Sequence, residues 1–329
     1  MLDPRRLYRY ASGRGVSVPR YHRQYVSQTP GVVTIDSVMH GTEGVTAVYY
    51  LPGPRPAIIE AAPATSLTHV LAGLSAAGVT DLDWIVLTHI HLDHAGAAGH
   101  LAQRFPRARV VVREEGAPHL VDPSRLWASA ARLYPDMEGL WGTMLPVPPE
   151  RIDAVSSDGV VADLGDGRRL EAVYTPGHAR HHMALFEPGS GDLFTGDAAG
   201  VFLDEVGAVH PATPPPEFDL EASLESLRRM EALGARRAFP THFGLFPLDP
   251  GRLFDEAASA LRRAVELAGE VVAGGGGAPE IAGKLREESL AAIPRLAEDP
   301  ALARRLGETT SYELNAAGIA RYLAKQQAG

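Results

Sequence analysis

Thr88-His89-Ile90-His91-Leu92-Asp93-His94-Ala95-Gly96 is the stretch on which the fold and chemistry of this chain turn. Three histidines and an aspartate fall between positions 89 and 94, in the spacing H-x-H-x-D-H. Upstream, Asp83-Trp84-Ile85-Val86-Leu87-Thr88 is an apolar run that reads as a buried strand, and downstream the Gly/Ala-rich segment reads as the start of a helix. The cluster therefore sits at the carboxyl end of a strand, where open α/β sheets carry their ligand sites. Neutral imidazoles and a hard carboxylate suit zinc and other divalent first-row metals. His89 and His91 can converge on one ion if the backbone stays extended, while Asp93 and His94, on the turn that follows, can serve a second. With 13 histidines in 329 residues, this pattern arises by chance roughly once in a thousand chains of this length, which sets aside a fortuitous surface cluster.

Working outward, residues from Val32 to about His242 alternate short β-type runs with helical stretches, the pattern of a layered α/β domain. Strands are expected at Val32–Ile35, Val45–Leu51, Ala57–Glu60, Trp84–Leu87, Val110–Val112, Val160–Leu164, Leu170–Tyr174, Met183–Phe186, Leu193–Thr195 and Arg237–Phe239. Pro52-Gly53-Pro54 separates two of them as a hairpin does. Helices fit Ser66–Ala77, with Ser66 as cap, then Ala95–Arg104, Pro123–Tyr134 and Leu220–Leu233. After Asp249-Pro250-Gly251 strand signals vanish. Helices are expected at Arg252–Val272, Glu280–Ile293, Pro300–Leu306 and Glu313–Ala324, with Gly274–Gly277 as a loop between them. The expected organisation is a basic, poorly ordered segment at 1–30, a catalytic domain at 31–249 and a helical C-terminal subdomain at 250–329.

Composition narrows the chemistry. Cysteine is absent, so disulfides, thiolate catalysis and thiolate ligation are excluded together, and any metal is held by nitrogen and oxygen. The net charge of −9 conceals an asymmetry: Arg5, Arg6, Arg9, Arg14, Arg20 and Arg23 face one acid, Asp3, within residues 1–30. An acidic body argues against a protein that holds polyanions over a large surface, and no nucleic-acid partner is expected. No apolar run approaches the roughly 20 residues that cross a bilayer, and the opening residues lack the apolar core of a secretory signal. The expected setting is cytoplasmic, with no membrane partner and a small-molecule substrate; homo-oligomerisation stays open.

The signature T-H-x-H-x-D-H-x-G, matched by Thr88, His89, His91, Asp93, His94 and Gly96, resembles that of the metallo-β-lactamase-fold superfamily. Downstream, Thr175-Pro176-Gly177-His178 resembles the family's second histidine motif, Thr195-Gly196-Asp197 its bridging-aspartate motif and Pro240-Thr241-His242 its last ligand. Each follows a run read as a strand, in the family's order, and the likeness covers residues 45–245. It implies a four-layered αβ/βα sandwich with a C-terminal helical extension. It also implies one metal bound by His89, His91 and His178, a second by Asp93, His94 and His242, and Asp197 bridging them. Seven hard or borderline ligands around two dications, zinc first with iron or manganese as alternatives, leave room for a bridging hydroxide that attacks an ester, thioester, lactone or phosphodiester. Asp93 and Asp197 are the catalytic candidates.

Five further residues are candidates for supporting the metal shell or facing substrate: Thr88, Glu60, His181, His182 and His210. Glu60 stands where the family usually has an aspartate behind the metals; it reads either as that support or as a plain strand-end carboxylate. His181 and His182 are either partners of the ligands or solvated histidines. His210 lies in a Pro-rich loop that can overhang the pocket. His22, His40, His69, His100 and His119 read as structural or surface residues.

Missing cysteines and the presence of Asp197 point away from antibiotic-cleaving lactamases. Only 44 residues separate Asp197 from His242, too few for the insert of RNA-processing relatives. What remains resembles glyoxalase II-type thioesterases, lactonases and small phosphodiesterases. A mononuclear non-haem iron dioxygenase of the persulfide dioxygenase type, and a non-catalytic binding protein with a relic metal site, stay as alternatives.

Overall fold

A computed structural model describes residues 26–328. Its sheet of seven strands has the order β1 (Val26–Thr29), β2 (Val32–Asp36), β3 (Ala47–Leu51), β4 (Ala57–Ile59), β5 (Trp84–Val86), β6 (Arg109–Arg113) and β7 (Ile152–Val155). A second sheet of five strands contains β8 (Gly159–Gly165), β9 (Arg168–Tyr174), β10 (Met183–Glu187), β11 (Asp192–Gly196) and β14 (Arg237–Pro240), in the order 14-11-10-9-8. A small ribbon pairs β12 (Val201–Leu203) with β13 (Ala208–His210) and is tied to the chain just past the end of β14, where the Phe202 N–H donates to the His242 carbonyl at 2.7 Å. In the first sheet β4 to β7 run parallel, which requires crossovers, and helices α1 (Leu67–Ala76), α2 (Leu92–Ala95), α3 (Ala98–Arg104), α4 (Ala117–Val121), α5 (Ser124–Ala130) and α6 (Met137–Trp141) supply them. The remaining helices are α7 (Leu220–Glu231), α8 (Pro250–Ala273), α9 (Ala278–Ala292), α10 (Arg295–Glu298), α11 (Pro300–Thr309) and α12 (Tyr312–Ala328).

Three apolar layers give the sandwich. Between the sheets lie Tyr49, Leu51, Ile59, Val86, Leu170, Leu185, Phe194 and Phe239, with the rings of Tyr49, Phe194 and Phe239 at 5.0 to 5.5 Å from one another. Outside the first sheet, Ile35, Ile58, Ile85 and Val110 meet Val70, Leu74 and Leu101 of the helices. Outside the second, Ala184, Leu193 and Ala238 meet Leu227, Leu253, Phe254, Leu261, Ile281 and Ile319. Strands β2, β4, β5 and β11 are buried along their whole length, as central strands covered on both faces are, whereas the edge strand β1 keeps two exposed residues. Each fully buried Leu, Ile or Phe contributes about 2 kcal/mol by apolar transfer.

The expected four-layered αβ/βα architecture and helical C-terminal region are present, and Pro52-Gly53-Pro54 joins the antiparallel pair β3 and β4. Several local expectations change. Strand β1 lies inside the stretch read as a basic arm: Val-Ser-Gln-Thr carries little strand signal alone but is held by pairing with β2 across Pro30-Gly31. The Arg-rich residues 1–25 and His22 lie outside the described residues. Ser66 does not cap α1, because its backbone is already helical (φ −88°, ψ −4°) and a cap needs extended geometry. The helix read from Ala95 starts at Leu92 and breaks before Ala98, so Asp93 and His94 ride on a separate turn. Among the described residues no helix is long and apolar enough to cross a membrane.

Candidate metal centre

Strand ends from both sheets deliver the seven candidate ligands to one edge of the sandwich. His89 and His91 leave the carboxyl end of β5, Asp93 and His94 sit on α2, His178 follows β9, Asp197 follows β11 and His242 follows β14. The two sheets are tied beside the cluster, where Met183 N–H at the start of β10 donates to the Thr88 carbonyl at 2.8 Å. His89, His94, His178, Asp197 and His242 are buried, His91 is half-buried, and the Asp93 side chain keeps 20% of its surface exposed.

The donor atoms fall into overlapping sets: His89, His91 and His178; Asp93, His94 and His242; and His89, His94 and Asp197. In the first, His91 Nδ1 lies 2.9 Å from His89 Nε2 and 2.9 Å from His178 Nε2. In the second, Asp93 Oδ2 lies 3.5 Å from His94 Nε2 and 3.4 Å from His242 Nε2. Asp197 divides itself between them. Its Oδ1 lies 3.4 Å from His94 Nε2 and 3.6 Å from His242 Nε2, while Oδ2 lies 3.5 Å from His178 Nε2. A first-row ion with ligands at 2.0–2.1 Å sets neighbouring donors about 2.9 to 3.4 Å apart; the first set falls at the lower end of that range, and the 3.4 to 3.6 Å spacings around Asp93 and Asp197 at its upper end or just beyond. His94 Nε2, His242 Nε2 and Asp197 Oδ1 are buried with no hydrogen-bond partner among the described residues, an arrangement that costs about 1–3 kcal/mol for each group unless something else binds it.

Hydrogen bonds behind the rings fix which nitrogen faces the cluster. Glu60 is buried completely and accepts from Thr88 Oγ1 at 2.6 Å, His94 Nδ1 at 2.9 Å and Thr241 Oγ1 at 3.0 Å. Because the Thr88 hydroxyl spends its proton on Glu60, it accepts from His89 Nδ1 at 3.0 Å. His178 Nδ1 donates to the Ala212 carbonyl at 2.9 Å and His242 Nδ1 to the Val45 carbonyl at 2.6 Å. Four imidazoles thus turn Nε2 inward, the nitrogen that a neutral ring leaves free for a metal. His91 alone presents Nδ1. Glu60 adopts the left-handed backbone (φ 70°) that non-glycine residues rarely occupy, a local strain held by the bonds its carboxylate makes to three elements.

Electrostatics separates the two sets. Burial, reinforced by the neighbouring rings, holds the pKa values of His89 and His91 well below the usual histidine range and lowers that of His178. Burial also opposes charge on His94 and His242. There the carboxylates win: Asp197, Asp93 and Glu60 raise His94 well above its ordinary value, and Asp197 and Asp93 raise His242. Burial disfavours the ionised forms of Asp93 and Asp197, yet the surrounding imidazoles hold both well below the carboxylate range. One set offers neutral nitrogens and the other an anionic pocket that favours positive charge.

The other candidates take distinct places. Thr88 and Glu60 are the support just described. His182 is fully buried; its Nε2 accepts the Asp197 backbone N–H at 3.1 Å and its Nδ1 faces Thr175 Oγ1 at 2.8 Å, so it positions Asp197. Gly196 (φ 52°) is required between them, since a Cβ there would come within 2.4 Å of His182 Nε2. His181 lies at the rim, 3.8 Å from Glu217, and burial pushes its pKa down to about 3. His210 does not overhang the pocket from a loop: it ends β13, opposite Val201, and joins none of the ligand groups. His100 bonds the Thr143 carbonyl at 2.8 Å, away from the cluster. Sequence reasoning missed the roles of Thr241 and of the Val45 and Ala212 carbonyls; the Thr in Pro240-Thr241-His242 was the one available signal.

The model of the metallo-beta-lactamase superfamily matches residues 41–242, which contain all seven side chains. A metallo-beta-lactamase fold-containing protein of Sulfurisphaera tokodaii is 36% identical over 168 residues, 50% of this chain and 61% of that protein. An atrochrysone carboxyl ACP thioesterase of Aspergillus fumigatus is 28% identical over 173 residues, 53% of this chain and 42% of its own length. A hydroxyacylglutathione hydrolase of a Synechococcus species is 28% identical over 186 residues, 56% of this chain and 58% of its own. The chain thus spans less than two thirds of the length of these curated relatives. Among solved structures, a metallo-beta-lactamase family protein of Thermus thermophilus shares the fold with a TM-score of 0.63, over 92% of this chain and 96% of that one, at 23% identity.

Proposed function

The chain belongs to the metallo-beta-lactamase superfamily, and on that footing we propose that it is a dinuclear metal-dependent hydrolase of a small acyl compound, with a thioester as the leading substrate class. The observation that carries the reading is Asp197, whose two oxygens are shared between a neutral histidine set and an anionic one. Relatives named as a thioesterase and as a hydroxyacylglutathione hydrolase favour acyl chemistry, and a net charge of −9 disfavours a polyanionic partner.

His89, His91 and His178 would hold one ion, Asp93, His94 and His242 the other, and Asp197 both; the all-nitrogen and oxygen donor set suits zinc, with iron and manganese compatible. Bound there, the ions would supply Lewis acidity, which brings the pKa of a metal-bound water towards neutrality and polarises a substrate carbonyl. The residues of the chain supply position and proton handling. Glu60 and the carbonyls of Val45 and Ala212 keep the Nε2 atoms of His94, His242 and His178 aimed inward. Asp93 keeps part of its carboxylate open to solvent, so it is placed to accept a proton and return it to the departing thiolate or alkoxide.

The mononuclear iron reading leaves Asp93, His94 and His242 without an ion, although their donors, like those of the first set, all lie within 4.8 Å of one another. A panel of acyl thioesters, lactones, nitrophenyl esters and a nitrophenyl phosphodiester, run with an oxygen electrode, tests the proposal. Turnover is expected on thioesters without oxygen uptake; product formation that requires oxygen would select the dioxygenase. In the same panel Asp93→Ala, brought to full metal occupancy, is expected to lose about a hundredfold in kcat with a small change in KM. Unchanged kcat would remove Asp93 from proton transfer.

A further inference from the structure

The C-terminal helix reaches the metal centre through a single peptide group. His178 Nδ1 donates to the carbonyl of Ala212, which lies in the irregular segment after β13. The N–H of the same peptide unit, carried by Thr213, donates to Asn315 Oδ1 on α12 at 2.7 Å. The Ala212–Thr213 peptide is therefore held at one end by a candidate ligand and at the other by an asparagine side chain more than a hundred residues further along.

Asn315 is fully committed to this segment. Its Oδ1 also accepts from Thr213 Oγ1 at 3.1 Å, and its Nδ2 donates to the Pro211 carbonyl at 3.0 Å and to Thr310 Oγ1 at 2.8 Å. Thr310 Oγ1 in turn donates to the Pro211 carbonyl at 2.8 Å. Both lone pairs and both protons of the amide are used, and the peptide groups on either side of Ala212 are both gripped. Asn315, Thr213 and Thr310 are buried. Asparagine is a poor helix former and a buried amide is costly unless satisfied, so helix formation and apolar packing do not account for it. One turn on, a Cβ at Gly318 would lie 1.9 Å from the Thr213 carbonyl oxygen; only glycine lets α12 come this close.

We infer that Asn315 is a positioning residue for His178: it clamps the Ala212–Thr213 peptide so that the Ala212 carbonyl fixes the tautomer and aim of the His178 ring. The C-terminal helices are thereby part of the metal centre's support. Hydrogen bonds in series through one peptide polarise each other, and the accepting power of the Ala212 carbonyl rises when its own N–H is bound. Aspartate at 315 keeps the shape but removes both donors, leaving the Pro211 carbonyl and Thr310 to face a carboxylate.

The inference rests on His178 being a ligand, and calorimetric titration of the metal-free full chain with Zn2+ or Co2+ separates the two ideas. The visible spectrum of the Co2+ form reports the histidine set, and circular dichroism of the metal-free chain reports folding. His178→Ala is expected to abolish the ion of the His89, His91 and His178 set; if it does not, the site assignment fails. Asn315→Asp is expected to weaken that ion about ten- to a hundredfold and alter its spectrum, while affinity at the Asp93, His94 and His242 set stays within a fewfold of the original. Thr310→Val, which keeps the Thr213 contact and loosens the Pro211 end, is expected to do the same more weakly, and it decides the matter if Asn315→Asp does not fold. Equal weakening of both ions in the folded variant, or no change at either, overturns the clamp while leaving the His178 assignment standing.

Discussion

Asp197→Ala, on the proposed two-ion reading, is expected to reduce bound metal to at most one ion per chain and to cut the proposed thioester turnover by about a thousandfold or more. The reason lies in how the carboxylate is shared. One oxygen lies 3.4 Å from His94 Nε2 and 3.6 Å from His242 Nε2, the other 3.5 Å from His178 Nε2, so this carboxylate is placed to be shared by two adjacent ions. Alanine also removes a carboxylate that raises both His94 and His242, so the second set loses part of its preference for positive charge. The fold is expected to persist, because it is the backbone N–H of residue 197 that His182 holds. Elemental analysis beside circular dichroism and initial rates checks this. A folded variant that keeps both ions and wild-type turnover would falsify the bridging role.

Glu60→Ala carries the second large expectation, a loss of about 3–5 kcal/mol in unfolding free energy together with a ten- to hundredfold weaker second ion. Removal of the carboxylate strands Thr88 Oγ1, His94 Nδ1 and Thr241 Oγ1 at once, in a place sealed from water. Each stranded group costs about 1–3 kcal/mol, offset in part by the favourable loss of a buried charge. His94 then has no acceptor for its Nδ1 proton, so the ring is no longer held with Nε2 towards the cluster. Glu60→Gln, which keeps one accepting oxygen and the volume, is expected to cost less on both measures. Urea unfolding and metal titration read the two effects separately; a Glu60→Ala change below about 1 kcal/mol would mean that the three hydroxyl and imidazole donors find other partners.

How far the site was legible follows from where its information resides. His89 to His94 is a local pattern, dense enough to signal metal binding in isolation. His178, Asp197 and His242 each carry little alone, but each ends a readable strand, and their order supplied what spacing did not. Glu60 showed its position at the end of β4 but not its task, because the task is defined by Thr241 from the other sheet. The Val45 and Ala212 carbonyls left no trace, since a backbone acceptor has no residue identity to read. Asn315 belonged to a run that read simply as helix. Its partners Pro211 and Thr213 lie more than a hundred residues upstream, beyond any periodicity. In the fold, the buried central strands were visible as apolar runs, whereas β1 and the ribbon β12 and β13 depend on pairing partners rather than on their own sequence. Misplacing His210 on an overhanging loop came from the same source.

The most direct test of the two-ion account is a titration of the metal-free chain with Zn2+, followed by calorimetry and by hydrolysis of a simple acyl thioester in the same samples. The account predicts saturation at two equivalents per chain, with turnover rising steeply as the second is bound. Saturation at one equivalent or none, without thioester turnover at any loading, would contradict it.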